Sequence, residues 1–176
     1  MARIPYPTDE ALASEPLVQR IMTERGSLLN LYRMLLHSPP VAEGWLSFFT
    51  AIRQKCSLSG KIREMVIMRI ASIHNASYEF SAHEPFALEE GITPEQIESL
   101  RVGSQDGFDE FEQSILAYCE AMTHEVNVPN AVFEAVKAHF SEREFVELTA
   151  TIAGYNLVSR FLEAMQIDHE PALTKS

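Results

Sequence analysis

The chain has 176 residues, 46% of them hydrophobic and 22% charged, and a formal charge of −11 at pH 7. That length suits one domain, with or without a helical arm, and the composition is too apolar for a disordered chain. No segment gathers Lys and Arg on one face, so a phosphate-binding surface is excluded and nucleic acid is not an expected partner.

The opening "MARIPYPTDE" has no apolar run of the signal-peptide kind. No stretch approaches the roughly 20 apolar residues of a membrane helix. A soluble, cytoplasmic protein with no membrane partner is expected. The two cysteines, Cys56 and Cys119, give neither a disulfide framework nor zinc spacing, and both read as small buried hydrophobes.

Gly and Pro fall between segments whose apolar residues recur every three to four positions, and no alternating run is long enough for a strand. The fold class is therefore all-α, with about seven to eight helices in a compact helical domain. "EPLVQRIMTERG" and "SLLNLYRMLLHS" come first, the second stopped by Pro39-Pro40, and "PVAEGWLSFFTAIRQKC" follows. "SGKIREMVIMRIASIHN" is apolar on most sides, which marks a helix buried all round and leaves Glu64 and Arg69 in need of partners. "ASYEFSAHEPFALEEG" closes on Gly91, with Pro85 inside it as an expected kink.

"TPEQIESL" opens with Thr93 and Gln96 in capping-box spacing. "DEFEQSILAYCEAMTHEV" and "PNAVFEAVKAHF" are amphipathic, and the last helix starts with Ser141 and Glu144 in the same capping spacing. The tail "HEPALTKS" is expected to fray. Residues 1–24 read as an extension with a first helix, 25–166 as the helical domain and 167–176 as the tail.

The chemistry concentrates in residues 64 to 83. On a helix Glu79 and His83 share one face, so they can exchange a proton or grip one ligand. Such pairs also occur on plain solvated helices. Glu64 either bonds the backbone, Arg63 or Arg69, or serves His83. Tyr78 either packs its ring or donates to a substrate oxygen. The carboxylates and imidazole are also a rival metal-ligand set. His74, at a helix end, reads as a surface residue.

"GKIREMVIMRIASIHNASYEFSAHEPFALEEGITPEQIESL" resembles the core of the carboxymuconolactone decarboxylase and alkyl hydroperoxidase D-type family. "LYRMLLHSPPVAEGWLSF" and "EREFVELTATIAGYNLVSRFLEAM" resemble the flanks of its longer members, so the likeness covers about residues 25 to 166. The peroxidase branch carries Glu, Cys-x-x-Cys and His at the positions occupied here by Glu64, Ala76, Glu79 and His83. Both thiol positions are lost, so thiol peroxidase chemistry is not expected. The decarboxylase branch lacks the thiol pair and carries Glu-x-x-x-His, matched by Glu79 and His83.

The resemblance implies an alkyl hydroperoxidase D-like helical fold and an enzyme without cofactor or metal. It would act by proton transfer on a small carboxylated or lactone metabolite, in a decarboxylation, isomerisation or elimination. His83 is then the acid/base, Glu79 its orienting partner, Glu64 a relay and Tyr78 an enolate donor, with His37, Tyr155 and Asn156 lining the substrate cavity. The alternative is a non-catalytic oligomer that uses the same pocket to bind a ligand. The resemblance also implies a homo-oligomer, a trimer or a multiple of it, with Trp45, Phe48 and Phe161 buried between chains.

Overall fold

The computed structural model describes residues 1–170, and those residues form helices and no strand. Most of the sequence segments 167–176 and "HEPALTKS" lie outside the described residues. Ten helices run in chain order: α1 (Asp9–Leu12), α2 (Pro16–Arg25), α3 (Asn30–Leu35), α4 (Pro39–Gln54), α5 (Gly60–Ile73), α6 (Ser77–Glu89), α7 (Pro94–Val102), α8 (Glu110–His124), α9 (Asn130–Lys137) and α10 (Glu142–Met165). Eight of them have eight residues or more, the two short ones being α1 and α3. None is long and apolar enough to cross a membrane.

The chain divides into two compact units. The first comprises Met1–Lys55 and the described residues from Leu162 onward. Here Arg25 bonds Tyr32 Oη at 3.0 Å and Thr50 Oγ1 at 2.8 Å, tying the end of α2 to α3 and α4. Asn30 Nδ2 donates to the Asp168 carbonyl at 3.0 Å and its backbone N–H to Glu170 at 2.7 Å, so residues 168 and 170 are held rather than frayed. Trp45 is 8% exposed within its own chain, because its place on the inner stripe of α4, against Phe49, covers it. It is therefore not free to be buried between chains, whereas Phe48, three residues further along α4, stays 44% exposed.

The second unit, Cys56–Phe161, is organised around α5. Met65, Val66, Ile67, Met68 and Ile70 have no exposed surface, and α6, α7 and α8 pack around them. A helix so enclosed buries apolar side chains on every face, at about 1.5–3 kcal/mol each. Local signals set the ends of the surrounding helices. Ser59 caps α5 through Ile62 N–H at 3.3 Å, and both reciprocal bonds of the capping box exist at Thr93/Gln96, Asp109/Glu112 and Ser141/Glu144.

Helix α6 continues through Pro85, which is exposed. It ends after Glu90, where Gly91 has φ +88°. The Gly91 and Ile92 N–H groups then donate to Leu88 and Ala87 carbonyls at 3.1 and 2.9 Å, the pairing of a Schellman stop. Any Cβ at position 91 would strain that left-handed backbone. The two helices that carry Glu64, Glu79 and His83, α5 and α6, are thus packed together.

Candidate active site

Glu64 comes from the enclosed helix α5, and Glu79 and His83 come from one face of α6, four residues apart. All three are buried, Glu64 completely. His83 Nδ1 donates to Glu64 Oε2 at 2.6 Å, while its Nε2 stands 3.3 Å from Glu79 Oε1. The other Glu64 oxygen accepts from Arg63 Nε at 2.9 Å. Arg69, the other candidate partner for Glu64, turns instead to Glu120 at 2.7 Å. Glu64 thus binds Arg63 with one oxygen and His83 with the other.

Burial alone would push the His83 imidazole down, because it penalises the charged ring. The charge of Glu79 and the hydrogen bond to Glu64 outweigh it and raise the ring from 6.5 to about 9. At neutral pH the centre is therefore an imidazolium held between two carboxylates. The grip is uneven. The short Nδ1 contact fixes the ring, and the longer Nε2 contact leaves a proton that a competing acceptor can take. Because the carboxylates occupy opposite edges of the ring, the three groups do not converge on one point. Among the described residues no cluster of three His, Cys, Asp or Glu side chains is arranged to hold a metal ion.

Tyr155 on α10 meets the His83 ring edge to face, with centroids 5.3 Å apart and planes at 89°. Asn156, its neighbour in sequence, points away: its Nδ2 donates to Thr123 Oγ1 at 3.1 Å and to the Ile152 carbonyl at 3.0 Å. Successive residues on a helix are about 100° apart, so the two side chains cannot share a direction. Tyr78 is buried on α6 beside Glu79. His37 belongs to the first unit, where its Nε2 donates to the Pro5 carbonyl at 2.8 Å.

Phe86, which sequence reasoning did not single out, lies against the imidazole with centroids 6.0 Å apart. Its position three residues after His83 was the available signal. His74 is half-buried rather than superficial, and its Nδ1 has no hydrogen-bond partner among the described residues. Ala76, at the first lost thiol position, is the N-cap of α6, and Glu79 lies in the helix's first turn. Cys119 is fully buried and burial pushes its thiol up to about 12, while Cys56 is half-buried and also raised, by burial and by Glu147.

Residues 39–121 match the model of the carboxymuconolactone decarboxylase family. No curated protein matches the chain. Among solved structures, the alkylhydroperoxidase AhpD core of an uncharacterised peroxidase-related protein from Ralstonia eutropha superposes with a TM-score of 0.81 at 18% identity, covering 96% of this chain and 92% of that one. A peroxidase-related protein from Silicibacter gives 0.79 at 15%, covering 99% and 93%. The debrominase Bmp8, in a cysteine-to-alanine form bound to 2,3,4-tribromopyrrole, gives 0.79 at 20%, covering 98% and 95%. At these identities the superpositions establish a shared helical fold. The segment that matches the carboxymuconolactone decarboxylase family model carries Glu64, Glu79 and His83, and the chain as a whole has the alkyl hydroperoxidase D-like helical fold.

Proposed function

We propose that the protein is a cofactor-independent acid/base enzyme acting on a small carboxylated or lactone-containing metabolite, by decarboxylation or a related isomerisation or elimination. The observation that carries this reading is the uneven grip on His83, 2.6 Å at Nδ1 and 3.3 Å at Nε2. In a decarboxylation the bond from carbon to the carboxylate breaks, and its electron pair moves onto a neighbouring carbonyl or lactone as an enolate. CO₂ leaves. The Nε2–H of His83 then protonates carbon, and solvent returns the proton to the ring. Glu79 orients the acidic edge until substrate displaces it, and Glu64 keeps the ring charged.

Tyr78 is the proposed donor to the enolate oxygen, and Tyr155, which packs on the His83 ring, the proposed substrate contact. The debrominase complexed with a tribrominated pyrrole supports the choice of a small unsaturated compound, since the same helical fold accommodates one there. Purified protein incubated with a panel of carboxylated lactones and β-keto acids should convert at least one, read by mass spectrometry. His83→Ala should lower that turnover about 10²–10⁴-fold. A ligand that binds tightly and returns unchanged would instead make the chain a binding protein. The same preparation should consume no peroxide in a dithiol-coupled assay, because neither raised thiol supplies a thiolate. Peroxide turnover lost on Cys56→Ser, Cys119→Ser would overturn the thiol-free assignment.

A homo-oligomer, a trimer or a multiple of it, is part of the same proposal. Helix α10 leaves Val146 and Leu157 exposed, at 66% and 51%, with exposed Ala153 on the same stripe, and Phe161 is only half-buried. Apolar stripes of this kind favour a neighbour. Light scattering at micromolar concentration should give a mass at least three times 19.9 kDa, and a mass near 19.9 kDa would remove the oligomer.

A further inference from the structure

The buried pair does not end at Glu64. Arg63, 14% exposed at its side chain, donates through Nε to Glu64 Oε1 at 2.9 Å and through Nη2 to Glu90 Oε1 at 3.1 Å. Glu90 is the C-cap of α6, the helix that carries Glu79 and His83, and it follows His83 by seven residues, or two turns. Charges therefore alternate along one line: Glu79, His83, Glu64, Arg63, Glu90. The Gly91 stop fixes where the last of these leaves the helix.

Gly60 makes room for it. The Glu90 carboxylate lies where a Cβ on Gly60 would stand, so any side chain at position 60 must drive that carboxylate away. Gly60 is the first residue of α5 and its φ is not left-handed, so backbone freedom does not explain a glycine there. Glycine lowers helix stability relative to alanine, and the close approach of Glu90 is the compensating feature.

We propose that Glu90 is a positioning residue for the acid/base pair. Seated on Gly60, it anchors one end of Arg63, which orients Glu64 against His83. This inference rests on the acid/base reading above and deepens it. An exposed ion pair alone contributes little, but Arg63 links this one to a carboxylate with no solvent access. With Glu90 withdrawn, Arg63 is free to turn both its donors to Glu64, which draws that carboxylate's charge from the imidazole. A nearby negative charge is lost as well. Both changes disfavour the imidazolium. The charged or titratable groups facing His83 include Glu79 from α6, Glu64 from α5 and Tyr155 from α10, and those facing Arg63 include Glu64, Glu90 and the Cys56 thiol.

The test is the NMR titration of the His83 ring in the unliganded protein, for wild type, Gly60→Ala, Glu90→Ala and the double variant. Each single change should lower the midpoint by about half a pH unit, as expected for one partly screened charge. The double variant should match Glu90→Ala alone, because the methyl group introduced at position 60 then has no carboxylate to displace. Glu90→Gln, which keeps the side-chain length, should shift the midpoint in the same direction. A midpoint unchanged or raised in either single variant overturns the proposal, and so does a double variant shifted by the sum of both. No substrate enters the measurement. Failure of the turnover panel would therefore sink the enzyme reading and leave this result standing, while unshifted midpoints beside an active enzyme would sink this inference alone.

Discussion

Unfolding free energy should fall by on the order of 3 kcal/mol as pH rises from 6.5 to 9, a window set by the His83 imidazole, ordinarily 6.5 and here about 9. Below pH 6.5 the ring is protonated in folded and unfolded chains alike, and its full contribution is present. Between 6.5 and 9 the unfolded chain has released the proton that the folded chain still binds. The native state then holds more protons, so stability declines with pH. Above about 9 the contribution is gone.

Two other groups bracket this window. His74 is pushed below 6.5 by burial, with Arg160 and His124 adding to the effect, so its contribution is lost as pH falls below 6.5. The Cys119 thiol, raised to about 12, extends the loss above pH 9. Stability should therefore be highest near pH 6.5. Urea unfolding at half-unit steps from pH 6 to 10 checks this. A flat profile between 7 and 9 would show that His83 is not held as an imidazolium.

Replacing His83 by alanine should cost about 3–5 kcal/mol, because Glu64 and Glu79 stay buried without the cation between them. For a chain of this size that lowers the melting temperature by roughly 10 °C. The triple change Glu64→Leu, Glu79→Leu, His83→Leu should recover most of the loss, since apolar side chains of similar volume carry no desolvation penalty. It should also abolish turnover and flatten the pH profile. This contrast separates a structural triad from a chemical one. If the triple variant proved less stable than His83→Ala, the three polar groups would be holding the helices together, and their retention would need no catalytic explanation.

Features legible in the sequence share a short range. The capping boxes at Thr93/Gln96 and Ser141/Glu144 join a side chain to a backbone group three residues away, so helix geometry settles them without help from the rest of the chain. Glu79 and His83 share a face for the same reason, and the all-round apolar pattern of α5 already demanded a buried helix. The same pattern marked Glu64 as a buried carboxylate in need of a partner, and only the resemblance's spacing pointed it to His83.

What spans two helices was decided by packing. Local sequence offers Glu64 both Arg63 and Arg69. The azimuth of α5 against α6 and α8 sends Arg69 to Glu120 and leaves Arg63 for Glu64. Tyr155 and Asn156 are equal candidates in sequence, yet the rotation of α10 gives Tyr155 to His83 and Asn156 to Thr123. Trp45 reads as an exposed stripe or a core residue with equal ease, and α4 buries it. Residue types and local periodicity determined that this chain is helical and that Glu79 and His83 share one face of a helix. The three-dimensional arrangement alone decided which charges stand beside that pair, because a contact between residues 64 and 83 or 60 and 90 depends on how two helices pack, a quantity no short stretch of chain contains.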